Sequence, residues 1–206
     1  VGGFYKLVLS DGTKVWLNAD SELKYPVRFV GGKREVYLKG EGYFQVSKDS
    51  CRQFIVHLQN SEITVLGTAF NVSAYEDEAH VYTTLEEGRV VFYSRQNKQR
   101  ILLKPGMQSD MEVATGKTVV SEVDPSLYSA WIEGRFVFQS LDLESILRQL
   151  QRWYDFEVFF QQQEVKNYRF RGVLSRDMDI RQALDIIEET TDLKFDIKGK
   201  TILVRK

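Results

Sequence analysis

Three carboxylates lie close together near the end of the chain, in the stretch DIIEETTDLKFDI. Glu188, Glu189 and Asp192 surround two threonines there. Carboxylates at this spacing can share a proton or bind a metal ion, so an enzyme is the first class of protein to test. Whether they do chemistry depends on the elements that position them and on the other reactive residues of the chain.

Few other residues suit metal or acid–base chemistry. The two histidines, His57 and His80, lie far apart in segments where apolar and polar residues alternate. The stretch LKPGMQ is similar to a turn of the cupins, β-barrels that hold a metal with clustered histidines, but Gln108 stands where a ligand is needed. Three glutamates near glycine turns are expected to bond turn amides or to face solvent: Glu41, Glu86 and Glu87.

Motifs for nucleophilic catalysis and nucleotide binding are missing from the sequence. It has no G-x-S-x-G, no P-loop and no G-x-G-x-x-G. Cys51 is the only cysteine, which leaves no internal disulfide and no C-x-x-C site. The 28 basic and 29 acidic residues nearly cancel, so no basic face for nucleic acid is expected. We therefore predict neither an enzyme nor a cofactor, a metal site or a nucleic-acid partner.

Short alternating runs fill the first part of the chain, from Phe4 to about Val123. Runs such as FYKLVLS, REVYLKG and RVVFYS are rich in valine, tyrosine and phenylalanine, which half-buried strands favour. Glycine turns such as Asp11-Gly12 and Glu87-Gly88 separate them. The pattern predicts an all-β domain over residues 1–126 and leaves a sandwich, a barrel and a short β-solenoid open.

The apolar period changes after Asp124-Pro125. Two helices are predicted from apolar residues three and four apart, each with an aspartate, Asp142 or Asp179, at the N-cap. Strands flank both helices, and the strand–helix–strand pattern recurs at a shift of 37 residues. Residues 127–206 are therefore predicted to form an α+β domain built from a duplicated βαβ unit. In it Glu188, Glu189 and Asp192 fall at a helix-to-strand junction, which is a structural position.

Ordered motifs give the chain a family resemblance. LSDGTKVWLNADSELKYP, VYLKGEGYFQV, ITVLGTAFNVSAYEDE, VYTTLEEGRV and LLKPGMQ resemble the FecR family, the periplasmic sensor part of transmembrane anti-sigma factors. AWIEGRFVF, ESILRQLQRWYDFEV and TTDLKFDIKG resemble the C-terminal domain that accompanies it in Bacteroidetes. The repeated βαβ unit also resembles the short N-terminal domain of secretins and TonB-dependent receptors.

The resemblance implies a periplasmic sensor of a single-pass inner-membrane protein. Such a sensor contacts the signalling domain of a TonB-dependent outer-membrane receptor. A cytoplasmic segment, which is not part of this sequence, would hold an extracytoplasmic-function sigma factor. On this reading the turns LNAD, KGEGYF and LGTAFNV are a signature of the fold and do not mark a site.

Partner binding is expected on the second domain, through exposed strand edges and large side chains. The strands 168–172 and 201–205 are the predicted edges, where a partner could add a strand. Trp153 lies on the apolar stripe and is expected to be mostly core. The candidate binding residues are Arg152, Tyr154, Tyr168, Arg169, Arg171, Thr201, Leu203 and Arg205.

Two alternatives come from other classes of protein. The first is a carbohydrate-binding or other small-molecule-binding β domain of cupin type, in which the second domain only dimerises. The second is a structural module of the cell envelope that carries no signal.

Overall fold

The structure, a computed structural model, describes residues 2–206 and divides into two compact units. The first unit is Phe4–Ser129, and the second is Ala130–Lys206 together with Gly2 and Gly3. The boundary expected between residues 126 and 127 falls inside a short helix, α1 (Ser126–Ser129), which ends the first unit. Each unit encloses a hydrophobic core of its own.

The first unit is one curled sheet of twelve strands, a half-barrel. Its strands are β1 (Tyr5–Val8), β2 (Lys14–Leu17), β3 (Glu22–Lys24), β4 (Lys33–Gln45), β5 (Gln53–His57), β6 (Ser61–Val65), β7 (Ala69–Ala74), β8 (His80–Glu87), β9 (Val90–Ser94), β10 (Arg100–Leu103), β11 (Met107–Glu112) and β12 (Thr118–Glu122). They pair in the order β10-β9-β6-β5-β4-β7-β8-β11-β12, while β2 and β3 also pair with β4, and β1 pairs with β2. This half-barrel is none of the three architectures that the strand pattern left open, which were a sandwich, a barrel and a short β-solenoid.

Strand β4 joins the two halves of this sheet. Its first part pairs with β3 and, in parallel, with β5, whereas its second part pairs with β2 and β7. The change of partner occurs at Gly40, where φ is +82°. A β-carbon at Gly40 would lie 2.8 Å from the Asp20 carbonyl oxygen, so both the conformation and the close approach require glycine.

The core of the first unit follows the two-residue period of its strands. In β6 and β9 the inward positions are buried and the residues between them are half-exposed, as expected when one face of a sheet is covered. Phe44 and Phe70 stack at its centre, with ring centroids 5.2 Å apart. Both rings are fully buried, together with Phe54 and Phe92.

The second unit is α+β and contains two small sheets. Its elements are a 3-10 turn (Ala130–Glu133), β13 (Arg135–Asp142), α2 (Leu143–Tyr154), β14 (Glu157–Phe160), a second 3-10 turn (Glu164–Asn167), β15 (Arg169–Ser175), α3 (Ile180–Glu189), β16 (Lys194–Lys198) and β17 (Thr201–Arg205). Strands β13 and β15 form an antiparallel pair. In the other sheet β17 lies between β14, which is parallel to it, and β16, which is antiparallel.

Both long helices begin where the sequence predicts. The Asp142 carboxylate accepts from the Ser145 N–H at 2.8 Å, and Asp179 forms a capping box with Gln182. Each helix then buries one apolar stripe in a core that residues of both sheets share. The buried stripe residues are Leu143, Ile146, Leu147, Leu150, Ala183, Leu184 and Ile187.

The predicted repeat agrees with the positions of several elements. The N-caps, the first residues of α2 and α3, and the first residues of β14 and β16 all correspond at the 37-residue shift. The leading strands do not correspond, because β13 and β15 begin 34 residues apart. The duplication therefore stays a prediction.

Candidate protein–protein interface

The acidic cluster stabilises the junction between α3 and β16. Glu188 Oε1 accepts from the Phe195 N–H at 2.7 Å, and Oε2 accepts from Lys194 Nζ at 3.0 Å. Burial by itself would raise the pKa of the Glu188 carboxyl, but these donors outweigh it and hold the pKa below its usual range. Asp192 pairs separately with Lys206 at 3.0 Å. The prediction of a structural helix-to-strand junction is confirmed.

The two histidines lie in separate surroundings. His57 stacks on Tyr37 with centroids 4.7 Å apart, and its Nδ1 lies 3.0 Å from a guanidinium nitrogen of Arg95. His80 Nδ1 lies 2.5 Å from a carboxylate oxygen of Asp110. Within residues 2–206, no group of three or more histidine, cysteine, aspartate or glutamate side chains is placed to hold a metal ion.

Glu41 connects two of the family motifs that sequence analysis treated as separate turns. Its carboxylate accepts from Asn18 Nδ2 at 2.6 Å and from Asn71 Nδ2 at 2.9 Å. The expected partners were turn amides or solvent, and the actual partners are side-chain amides distant in sequence. Glu86 is exposed, as expected, and accepts from Tyr43 Oη at 2.9 Å. Burial and then this bond raise the pKa of Tyr43 to about 12.

A buried ion pair in the first unit was not predicted from the sequence. Arg34 is fully buried and donates from Nη1 to Asp11 Oδ2 and to the Ser47 carbonyl oxygen, both at 2.8 Å. Its Nη2 and Nε donate to the Arg52 carbonyl oxygen at 2.9 and 3.2 Å. The available signal was an arginine at an inward position of the alternating run REVYLKG. The pair fixes the Asp11-Gly12 turn against β4 and the loop before β5.

One of the two predicted edge strands is wrongly assigned. Strand β17 (Thr201–Arg205) is the middle strand of its sheet, hydrogen-bonded to β14 and β16 on its two sides. The parallel pairing with β14 could not be read from the sequence, because that partner lies about 40 residues earlier. Thr201, Leu203 and Arg205 can therefore meet a partner only through their side chains.

Those three side chains share the uncovered face of the three-stranded sheet. Leu203 lies directly across from Phe159, and the two are 37% and 55% exposed. Arg205 Nε donates to Asp196 Oδ2 at 2.7 Å, and the hydrogen bond lowers the pKa of the Asp196 carboxyl. The face thus presents an apolar pair beside an ion pair.

The other predicted edge agrees with the structure. Strand β15 pairs with β13 alone among the described residues, so the opposite side of its backbone has no strand partner. Arg169 and Arg171 are exposed on it, and Val173 is 56% exposed. Arg169 Nη1 donates to the Ser140 carbonyl oxygen at 2.7 Å, at the irregularity of β13. Tyr168, just before β15, lies 3.3 Å from Lys206 Nζ through its hydroxyl.

The end of α2 is half-buried, and two of its large side chains are bonded within the second unit. Trp153 was expected to be mostly core; it is half-buried and packs against the core, and its Nε1 donates to the Arg176 carbonyl oxygen at 3.2 Å. Tyr154 Oη donates to the Met178 carbonyl oxygen at 2.7 Å, and burial raises the pKa of this phenol. Arg152 is half-buried beside them. Tyr154 also lines an apolar hollow of about 330 Å³, together with Ile180, Ile197 and Ile202.

The guanidinium of Arg176 lies among aromatic rings below this helix end. Its Cζ lies 4.4 Å from the Phe136 ring centroid and 4.5 Å from that of Trp153. Such cation–π contacts stabilise a buried cation. The candidate binding residues thus fall into three groups: the β15 edge, the β17 face and the largely structural end of α2.

Comparison with protein families accounts for most of the chain. A family model described as the FecR protein matches residues 1–91, and one described as the FecR C-terminal domain matches residues 135–204. The two matches come in order along one chain. This chain belongs to the FecR family. The motifs of the first unit are therefore features of the family fold. Glu41 and its partners Asn18 and Asn71 belong to three of them and hold these motifs together.

Solved structures resemble this FecR-family chain along its whole length. Two crystal structures of a candidate anti-sigma factor from Parabacteroides distasonis, at 1.65 and 2.50 Å resolution, each superpose with a TM-score of 0.91. Sequence identity is 26%, over 100% of this chain and 95% of the other. No curated protein sequence matches significantly. None of the helices described in the structure is long and apolar enough to cross a bilayer.

Proposed function

We propose that this chain is the periplasmic sensory part of a transmembrane anti-sigma factor. The observation that carries the proposal is the presence of both FecR matches, in order, on a chain that superposes over its full length on a candidate anti-sigma factor. The full-length protein would span the inner membrane once. A cytoplasmic segment beyond these residues would hold an extracytoplasmic-function sigma factor, and this part would control its release.

The signal is relayed by contact between proteins, without catalysis. The partner is the signalling domain of a TonB-dependent outer-membrane receptor, and the chain senses this domain when the receptor has bound its ligand. Support for a contact mechanism comes from the Glu188 carboxylate, whose bonds to the Phe195 N–H and to Lys194 hold the junction between α3 and β16.

The receptor domain docks on the free edge of β15. An edge strand offers unpaired backbone N–H and C=O groups, to which an extended segment can add as a further strand. Val173 presents an apolar contact on this strand, and Arg169 and Arg171 favour an acidic partner. The face with Phe159 and Leu203 is a second contact surface on the same unit.

Calorimetric titration of the 206-residue chain with the purified receptor signalling domain tests the proposal. We expect micromolar binding, which Val173→Asp weakens by about tenfold or more, because a charge replaces an apolar contact on the docking edge. The matched control is Val119→Asp on β12, an edge strand of the first unit. Val119 is 57% exposed and Val173 56%, so the two changes are equivalent in residue type and exposure.

Each outcome of the titration has a definite meaning. Loss of affinity in Val173→Asp alone supports docking at β15. If Val173→Asp and Val119→Asp both bind with the affinity of the unmodified chain, the contact lies on another surface. Leu203→Asp then tests the β17 face. No binding by the unmodified chain would remove the receptor-contact mechanism.

A further inference from the structure

The most exposed large apolar side chains of the described residues lie on one loop of the first unit. This loop, residues 25–32, connects β3 to β4. Val27 is 90% exposed and Val30 is 85% exposed, more than any other large apolar residue described. Tyr25, at the start of the loop, is 49% exposed. Apolar residues scattered singly need no explanation, but three within six residues point to an interaction surface.

The loop is held in place from below. Phe29 packs against the core of the first unit, and its ring meets that of Phe54 edge-on, with centroids 6.0 Å apart. A fixed aromatic anchor between Val27 and Val30 keeps both valines outside the core. The outward position of the valines is therefore part of the fold.

The charged residues in and directly beside the loop, between Glu22 and Glu35, are all basic. Arg28 lies between the two valines, Lys33 follows the loop, and both are exposed. Lys24 precedes it and pairs with Glu22 at 3.0 Å. The sequence contains no aspartate or glutamate between Glu22 and Glu35. An apolar tip between cations complements a surface that is apolar inside and anionic outside.

We propose that the loop of residues 25–32 inserts its valines into the surface of an anionic phospholipid bilayer. The aliphatic tips would enter the acyl boundary while Arg28 and Lys33 meet lipid phosphates. Tyrosine suits the interface because it has an apolar ring and a polar hydroxyl, and Tyr25 and Tyr37 (54% exposed, across from Lys24) would lie at headgroup depth.

A loop this small binds weakly by itself, and its action depends on tethering. The proposed membrane anchor of the full-length protein would hold the sensor at high effective concentration near the bilayer, so weak insertion could orient it. In this respect the inference draws on the proposed function. The vesicle test below needs no receptor, so its failure and the failure of receptor binding are separate results.

The test uses a single fluorescent label, which the lone cysteine makes simple. In a Cys51→Ser background, Val27→Cys carries an environment-sensitive fluorophore, and an N-terminal histidine tag captures the chain on nickel-chelating lipid. The vesicles contain phosphatidylethanolamine and phosphatidylglycerol. We expect a blue shift and increased emission on capture. The same label at Leu102→Cys, a 55% exposed site on β10, should show neither.

Matched substitutions identify the cause of the shift. Val30→Asp in the labelled chain should reduce the inserted population about tenfold, because a charge replaces an aliphatic side chain that would be buried in the bilayer. Val119→Asp should leave the population unchanged. Vesicles of phosphatidylcholine with the same chelating lipid should give a smaller shift, since Arg28 and Lys33 lose their anionic partners.

Three results would overturn the proposal. The first is equal response of the labels at Val27→Cys and Leu102→Cys on anionic vesicles. The second is equal response of the Val30→Asp and Val119→Asp chains. The third is a shift that appears with the receptor signalling domain and not with vesicles, which would make the loop a protein contact surface.

Discussion

Arg34→Met is expected to destabilise the first unit strongly, because it leaves a buried carboxylate without its cation. Arg34 is fully buried and the Asp11 side chain is 5% exposed, with 2.8 Å between Nη1 and Oδ2. The same guanidinium donates to the carbonyl oxygens of Ser47 and Arg52. Methionine keeps an apolar stem of similar length but donates no hydrogen bond, so all three acceptors lose a donor.

The magnitude follows from what Asp11 keeps. Removing one partner of a buried ion pair costs about 3–5 kcal/mol. Asp11 still accepts from the Thr13 N–H at 3.0 Å and from the Thr13 hydroxyl at 2.7 Å, which favours the lower end, about 3 kcal/mol. The double variant Arg34→Met/Asp11→Ala removes both charges. Its loss should therefore be about 1–3 kcal/mol smaller than the sum of the single losses.

Urea unfolding followed by the fluorescence of Trp16 measures these losses. Trp16 belongs to the first unit and contacts Tyr43, with ring centroids 5.6 Å apart. Trp131 and Trp153 belong to the second unit and are replaced by phenylalanine in every chain, so that the signal reports the first unit alone.

Lys33→Met is the control for Arg34→Met. Lys33→Met changes the exposed neighbour of Arg34 on β4 and should stay within about 0.5 kcal/mol of the reference. If Arg34→Met were equally neutral, or if the double variant lost the full sum of the single losses, the pair would not stabilise the fold as argued.

Two further predictions concern the second unit. Leu150→Ala and Ile187→Ala, at matching positions of α2 and α3, should each lower the free energy of unfolding by about 2–5 kcal/mol in urea melts. Ile186→Ala, at a site that is 37% exposed, is the control. If neither Leu150→Ala nor Ile187→Ala lowered the free energy of unfolding, the alignment of α2 with α3 at the 37-residue shift would be wrong. The pKa of Glu188 is lowered on folding, so its stabilisation is present above the ordinary value of 4.5 and is lost as pH falls through the folded value. Glu188→Gln should therefore flatten the fall in unfolding free energy between neutral and acid pH, and an unchanged slope would count against the bond to the Phe195 N–H.

Local patterns predicted most of the strands of the first unit and both long helices of the second, but not β3, β11 or β12. The two-residue period predicted most strands of the first unit, although it divided β4 into two at Gly40, and the N-cap aspartates Asp142 and Asp179 predicted the starts of both long helices. These features depend on residues near one another in sequence, where propensity, capping and burial act together. The position of Glu188 at a helix-to-strand junction followed from the same local reading.

Pairing between distant strands could not be read in this way. The sequence of β17 is equally suited to an edge or a central strand, and only its contacts with β14 and β16 make it central. In the first unit, β4 serves both halves of the sheet because Gly40 permits a conformation that changes its partners. The sequence alone left three β architectures open for that reason.

The sequence by itself determined the family motifs, most of the strands, both long helices and the near balance of charge. The tertiary structure alone decided which motif residues meet, as Glu41 does with Asn18 and Asn71, and which side chains stay uncovered, as Val27 and Val30 do. The physical reason is that hydrogen bonds and burial depend on distance in space. Residues far apart in the chain acquire a common environment only after the sheet has curled around its core.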